Sequence, residues 1–249
     1  MTSLTFNRIP KCHFRGISLP DGEPLQCPQC IANKLNYCGA MDLELGTRLQ
    51  AIVTRIRFER GRTLFTQEDS ADYVFALAAG VVSCSHYMAD GRRQIMGFLF
   101  PGDYVGMATG ERYSYSGEAV TAGEMCRFSR GPFNKLLMKF CDFEKHFFQE
   151  VSNELAEAQK HVLILGRKDA MERVASFLLM LDERENRYGA HDNIELPMMR
   201  AEIADYLGLA IETVSRMFTK LRNRRIIAAP DAHLVRILDP GGLRAIASE

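Results

Sequence analysis

The sequence predicts an α+β chain: an N-terminal β-roll, a long helix suited to pairing, and a C-terminal helix-turn-helix. Three observations carry this. Residues 55–128 hold many short apolar or alternating runs separated by turn residues, the pattern of an antiparallel roll or barrel. Residues 142–166 contain no proline and no internal glycine. Residues 200–222 hold two short helical patterns around Gly208, the spacing of two helices joined by a tight turn.

In chain order, residues 1–40 come first. They contain Pro10, Pro20, Pro24 and Pro28, few periodic apolar residues, and four of the seven cysteines. Such a segment lacks the apolar payload to fold alone, so something else must hold it. A short helical stretch follows at 42–53. Strands are expected at 56–58, 64–65, 73–77, 81–87, 95–100 and 118–128, with Gly61, Gly80, Asp90-Gly91 and Pro101-Gly102-Asp103 between them. Asp90-Gly91 fits a tight hairpin turn.

The helix at 142–166 would be roughly 35 Å long at about 1.5 Å per residue. Val151, Leu155, Ala158, Val162 and Leu165 are spaced 4, 3, 4 and 3 along it, a heptad seam for pairing with a second helix. The competing reading is a helix packed on its own roll. Ala158 leaves the seam without charge, which predicts a firm dimer. A second helix at 170–187 has Val174, Phe177, Leu178 and Leu181 on its apolar face. Residues 189–197 read as a loop and a short strand.

Composition sets the boundaries of function. A chain of 249 residues is long enough for two modest domains. Its 31 basic and 31 acidic side chains cancel, so a nucleic-acid surface must be local. No apolar run approaches the roughly 20 residues that span a bilayer, so no membrane-spanning helix and no membrane partner are expected. The first ten residues have no apolar stretch, so the expected location is the cytoplasm. Seven cysteines in a reducing compartment point to metal or redox chemistry rather than a disulfide framework. The six histidines are scattered, and no Ser-His-Asp arrangement, phosphate loop or HExxH motif occurs. The reading is a protein that is not an enzyme.

The segment 200–225 is the most informative. Ile203, Ala204 and Leu207 share one face of the first short helix, and Val214, Phe218 and Leu221 one face of the second. The opposite face of the second helix has the chemistry to read bases. Glu212, Ser215 and Arg216 lie at i, i+3 and i+4. Arg pairs with guanine O6 and N7, Glu accepts from cytosine N4, and Ser serves either edge. Thr213 would sit beside the phosphates. From Arg216 to Arg225 there are five basic residues, Lys220 among them, and no acid, a candidate phosphate stripe. It stands out because residues 167–249 are balanced, with thirteen basic and thirteen acidic side chains.

These residues carry a resemblance to the CRP/FNR superfamily of bacterial transcription regulators over nearly the whole chain. The segment 202–216 is similar to the family's DNA-binding signature, and Glu212-x-x-Ser215-Arg216 to its FNR-type version. The motifs Phe58-x-x-Gly61-x-x-Leu64-Phe65, Leu77-x-x-Gly80-x-Val82 and Pro101-Gly102-Asp103-x-Val105-Gly106 resemble the turns of the family's sensory roll. The resemblance implies a cyclic-nucleotide-binding-like roll at 41–141, a dimerisation helix at 142–166, and a winged helix-turn-helix domain at 167–249. It also implies a homodimer on double-stranded DNA carrying an inverted repeat with TTGA-like half-sites, and surface loops that touch RNA polymerase. The turn at 87–93 is one candidate for that contact. The family's cyclic-nucleotide branch has a glutamate and an arginine where this chain has Val105-Gly106-Met107-Ala108 and Tyr113-Ser114-Tyr115-Ser116. No cyclic nucleotide is expected, because its phosphate would be poorly neutralised.

Cys27, Cys30 and Cys38, with the distant Cys126, resemble the FNR-type ligand set of a [4Fe-4S] cluster, in the FnrN- and FnrL-type spacing. Thiolates are the usual ligands of such clusters. The implied cluster would order the 1–40 segment and make the dimer oxygen-responsive. Two alternatives stay open: four thiolates also build a structural zinc site, and two of Cys12, Cys27, Cys30 and Cys38 also make an iron-free disulfide switch. Cys12 competes for a ligand position. Cys84 and Cys141 read as small buried hydrophobes.

Overall fold

The computed structural model describes residues 43–108, 110–186 and 193–248. Cys12, Cys27, Cys30 and Cys38 lie outside the described residues, as does the whole of the 1–40 segment. The chain forms two compact units. Among the described residues, one holds 43–84 together with 98–152, and the other holds 85–97 and 153–248.

The described residues open with helix α1 (Leu43–Ile52), and, of the strands that follow, the hairpin residues 85–97 belong to the second unit. Eight strands follow: β1 (Val53–Phe58), β2 (Thr63–Phe65), β3 (Tyr73–Ala79), β4 (Val82–Tyr87), β5 (Arg93–Leu99), β6 (Tyr104–Val105), β7 (Ser116–Ala119) and β8 (Gly123–Ser129). They make two four-stranded sheets, ordered β1-β8-β3-β6 and β2-β7-β4-β5. Apolar residues of both sheets meet between them, Phe58, Phe75 and Met125 from one and Phe65, Val82 and Leu99 from the other. The first sheet is covered behind by α1, α2 (Arg130–Lys139) and the start of α3 (Cys141–Arg167). Alternation along β8 sorts its side chains: Met125 joins the core between the sheets, while Cys126 and Phe128 join the cluster under the helices. Phe133 of α2 centres that cluster, with ring centroids of Phe128, Phe143 and Phe147 at 5.4–5.5 Å. Removing such a ring typically costs about 3–5 kcal/mol.

Two expectations for the roll are corrected. The run 118–128 is two strands rather than one. Val120 and Thr121 both donate to the Val81 carbonyl, at 2.8 and 3.3 Å, and there the chain leaves the second sheet and enters the first. Gly80 makes the crossing tight, because a Cβ on it would meet the Ala122 carbonyl at 2.7 Å and its φ is +88°. The hairpin turn begins earlier than Asp90-Gly91. It is closed by Gly91 N–H to the Met88 carbonyl at 2.9 Å, so Ala89 and Asp90 are its central residues. Asp90 also accepts the Arg92 N–H and guanidinium. A third correction concerns cysteine. Cys84 is buried as expected, but Cys141 is exposed, since it opens α3.

In the second unit, α4 (Ala170–Asn186) starts on a reciprocal cap. Asp169 Oδ1 accepts the Met171 and Glu172 N–H groups, and Glu172 accepts the Asp169 N–H at 2.6 Å, satisfying donors that a helix start leaves open. Val174, Phe177, Leu178 and Leu181 are buried as the spacing predicts. Next come β9 (Ile194–Glu195), α5 (Arg200–Leu207), α6 (Ile211–Asn223), β10 (Ile227–Ala228), β11 (Leu234–Ile237) and α7 (Pro240–Ser248). The three strands form one antiparallel sheet ordered β10-β11-β9, and α7 packs on α4. No helix among the described residues is long and apolar enough to cross a membrane.

Candidate nucleic-acid interface

Helices α5 and α6 are joined by Gly208-Leu209-Ala210. Gly208 adopts φ +60°, ψ 42°, the left-handed geometry that ends α5, and its N–H returns to the Ala204 carbonyl. Helix α6 restarts at once, with Thr213 and Val214 N–H groups on the Ala210 carbonyl at 2.9 and 3.1 Å. Ile203, Ala204, Tyr206 and Leu207 of α5 are buried, as are Val214, Met217, Phe218 and Leu221 of α6. The inward residues expected from the sequence are therefore inward, with Tyr206 and Met217 added.

That burial fixes which side of α6 faces out. Glu212, Ser215, Arg216 and Lys220 are exposed, and Thr213 is half-buried. The Arg216 guanidinium donates to the Thr213 hydroxyl at 3.0 Å, so the side chain is held along the first turn rather than free. Glu212 makes no ion pair among the described residues, and Arg216 keeps guanidinium N–H groups beyond the one given to Thr213. Arg222, Arg224 and Arg225 are exposed at the far end of the helix. There they complement the negative end of the helix dipole as well as forming the basic stripe.

The carbonyls at the end of α5 are held by side chains from three other elements. Gln94 of β5 donates to the Asp205 and Tyr206 carbonyls at 2.7 and 3.2 Å. Arg93 pairs with the Asp205 carboxylate at 2.6 Å. His161 Nε2 lies 2.8 Å from the Tyr206 carbonyl, with its ring stacked on Tyr206 at 4.0 Å. Arg173 of α4 donates to the Leu207 and Leu165 carbonyls, each at 2.9 Å. His161 is thus a satisfied buried histidine, and burial holds its imidazole below the ordinary 6.5. Sequence reasoning missed this grip on the helix-turn-helix.

Of the expected seam on α3, Leu155, Ala158 and Val162 are exposed, while Val151 and Leu165 are half-buried. Phe148 extends the pattern one heptad earlier. Phe148, Leu155 and Val162 are 69%, 59% and 69% exposed, an apolar line at intervals of seven. Phe143 is buried and Phe147 packs beside it on the roll, so the start of the helix packs on its own roll while the apolar line at 148, 155 and 162 is left exposed. The missed Phe148 was in reach of the same spacing rule.

Inside the roll, Phe65 packs on Tyr113 and Tyr115 at 4.3 and 5.5 Å between centroids. The Gly106 N–H is taken by the Tyr115 hydroxyl at 3.0 Å. Cys126 is buried in β8, opposite Arg55 of β1 and Ala76 of β3, in one cluster with Leu45 of α1. Cys27, Cys30 and Cys38 lie outside the described residues.

A sensory-type roll, a long helix with an open apolar line and a helix-turn-helix with a polar outer face define a two-domain transcription regulator. Comparison with known proteins agrees. The cyclic nucleotide-binding domain family matches residues 55–140, and the Crp-like helix-turn-helix domain family matches residues 172–246. The chain is 39% identical over 228 residues to the transcriptional activatory protein AadR of Rhodopseudomonas palustris, covering 88% of this chain and 92% of AadR. It is 36% identical over 223 residues to the nitrogen fixation regulation protein FixK of Bradyrhizobium diazoefficiens, covering 89% and 94%. The solved structure of FixK2 from Bradyrhizobium japonicum is similar at a TM-score of 0.73 with 31% identity, covering 78% of this chain and 97% of that one. The chain belongs to the CRP/FNR family of DNA-binding transcription regulators, of the FNR/FixK type, and is not an enzyme. Regulators of this family bind DNA as dimers.

Proposed function

We propose that this chain is an oxygen-responsive transcription activator of the cytoplasm, working as a homodimer on TTGA-type inverted repeats and contacting RNA polymerase. Its cofactor in this reading is a [4Fe-4S] cluster on Cys27, Cys30, Cys38 and Cys126. The observation that carries it is the position of Cys126. Its thiol is buried on the face of β8 that α1 covers, and α1 directly follows the cysteine segment. Four thiolates suit the cluster chemically, and the apolar surroundings of Cys126 would limit access of water to one ligand. When bound, the cluster supplies an oxygen-labile tie.

The chain's own residues do the rest. Cys27, Cys30 and Cys38 fasten the N-terminal segment against β8. Phe148, Val151, Leu155, Ala158, Val162 and Leu165 pair the two long helices. Recognition helices roughly 34 Å apart then meet successive major grooves, where Glu212, Ser215 and Arg216 read base edges and Thr213 and Lys220 meet phosphates. The roll takes no cyclic nucleotide in this reading. Support comes from the Tyr115 hydroxyl, which takes the Gly106 amide at 3.0 Å.

The test is iron, acid-labile sulfide and the visible spectrum of protein purified without oxygen. About four irons per chain, with absorbance that bleaches in air, is the expected outcome. Stoichiometric zinc in colourless protein overturns the oxygen reading in favour of a zinc-containing regulator. Colourless, metal-free protein with a reversible disulfide, after cluster loss in handling has been checked by reconstitution, favours the thiol switch.

A further inference from the structure

The roll contains a feature that neither DNA binding nor the cysteine set uses. Between its sheets lies a cavity of about 250 Å³. Its floor is apolar, formed by Ile56, Phe65, Phe75 and Met125. Its rim carries the exposed Arg62 and Asp69, and its wall the half-buried Arg127 beside Tyr73.

Arg127 is the unusual member. It lies in β8 opposite Thr54 of β1 and Phe75 of β3. Alternation turns it away from its neighbour Cys126, which joins the cluster on the other face of the sheet. Its guanidinium rests over the Tyr73 ring, 4.5 Å from the centroid. Its Nε is buried with no hydrogen-bond acceptor. A buried charged donor left without an acceptor is costly, and the natural partner of a guanidinium is a carboxylate or similar planar anion. Asp69 does not fill that role. It accepts the Thr66 N–H at 3.3 Å and pairs with neither arginine among the described residues.

Two positive groups and one negative group line the space, so it favours a monoanion. Its volume lies below the roughly 300–1,000 Å³ of sites for drug-sized ligands, so the ligand is small. Its floor rewards an apolar body. We propose that this cavity binds a small monocarboxylate with an apolar body. The carboxylate meets Arg127 and Arg62, and the body lies on Phe65, Phe75 and Met125. The ligand is then a second input to the sensory roll, independent of the cluster reading.

Calorimetric titration of the full chain with hexanoate tests this, using hexanamide and inorganic phosphate as comparisons. Hexanoate is expected to bind, and hexanamide to bind about tenfold or more weakly, because it lacks the charge. Arg127→Gln and Arg62→Gln are each expected to weaken hexanoate about tenfold. Arg62 is exposed, so its variant reads the interaction without disturbing the core, and circular dichroism checks the fold of the Arg127 variant. Absence of hexanoate binding, equal binding of hexanamide, or unchanged hexanoate binding in the Arg62→Gln protein overturns the proposal. Phosphate binding as tight as hexanoate also overturns it, because the apolar floor would then contribute nothing.

Discussion

In α6, the face opposite Val214, Met217, Phe218 and Leu221 carries Glu212, Ser215, Arg216 and Lys220. In α3, the face left in water carries Phe148, Leu155 and Val162. Both helices bury one side within their own chain and expose the other. The chemistry of the exposed side differs, and with it the partner. A polar, hydrogen-bonding face loses little in water and gains specificity against base edges. An apolar line at seven-residue intervals is costly in water and is relieved by a like helix. A regulator of this kind therefore needs both. In the proposed function, one helix gathers two chains and the other reads what the pair can reach.

The largest effect is expected from breaking the apolar line. Leu155→Asp would put a charge into each half of the seam, where an unpaired buried charge costs about 3–5 kcal/mol. Sedimentation should show the dimer converted to monomer, with operator binding lost. A variant that stays dimeric removes this line from the interface. Next comes a contrast within α6. Leu221→Ala, on the buried face, should lower stability by about 2–5 kcal/mol in denaturant unfolding. Arg216→Ala, on the exposed face, should leave stability unchanged. It should cost about 1–3 kcal/mol per half-site against a TTGA-type palindrome at fixed salt, with relaxed preference at one base. If Arg216→Ala unfolds the domain or leaves recognition intact, the division of labour between the faces is wrong.

A smaller effect concerns pH. Burial lowers the His161 imidazole below 6.5 in the folded protein. Below pH 6.5 the unfolded chain therefore binds the proton first, and stability falls as pH drops towards the folded value. Denaturant midpoints of the native protein should decline through that window. The decline should be shallower in His161→Gln, which keeps a donor for the Tyr206 carbonyl. Matching slopes in the two proteins would mean that His161 does not titrate in this range.

The roll, the long helix and the helix-turn-helix were legible because each rests on a local period. Strand alternation, the 4-3 spacing and the Gly208 break all lie within a few residues of one another. The outer face of α6 was legible for the same reason, since fixing Val214, Phe218 and Leu221 inward leaves Glu212, Ser215 and Arg216 outward. The run 118–128 misled because apolar residues continue through Val120, where the chain changes sheets. Cys141 misled because a helix start next to a core segment is still an end. The grip of Gln94 and His161 on α5 has no local signature, as the partners are 111 and 45 residues apart. Arg127 escaped notice because a charge in a strand reads as solvent-facing until the opposite strand is known.

The hold on the last turn of α5 bears on the order in which the protein is built. Arg93 and Asp205 are separated by 112 residues, so their pairing closes a loop nearly half the length of the chain. Loop closure of that span is unfavourable until other contacts have shortened it, and contacts of high sequence separation form slowly. On a ribosome, the hairpin bearing Arg93 and Gln94 is complete long before α5 emerges. The reading head therefore docks onto a surface already made. A truncated chain beginning at Asn153 would keep His161 and Arg173 on the end of that helix but leave the Asp205 carboxylate and carbonyl without Arg93 and Gln94.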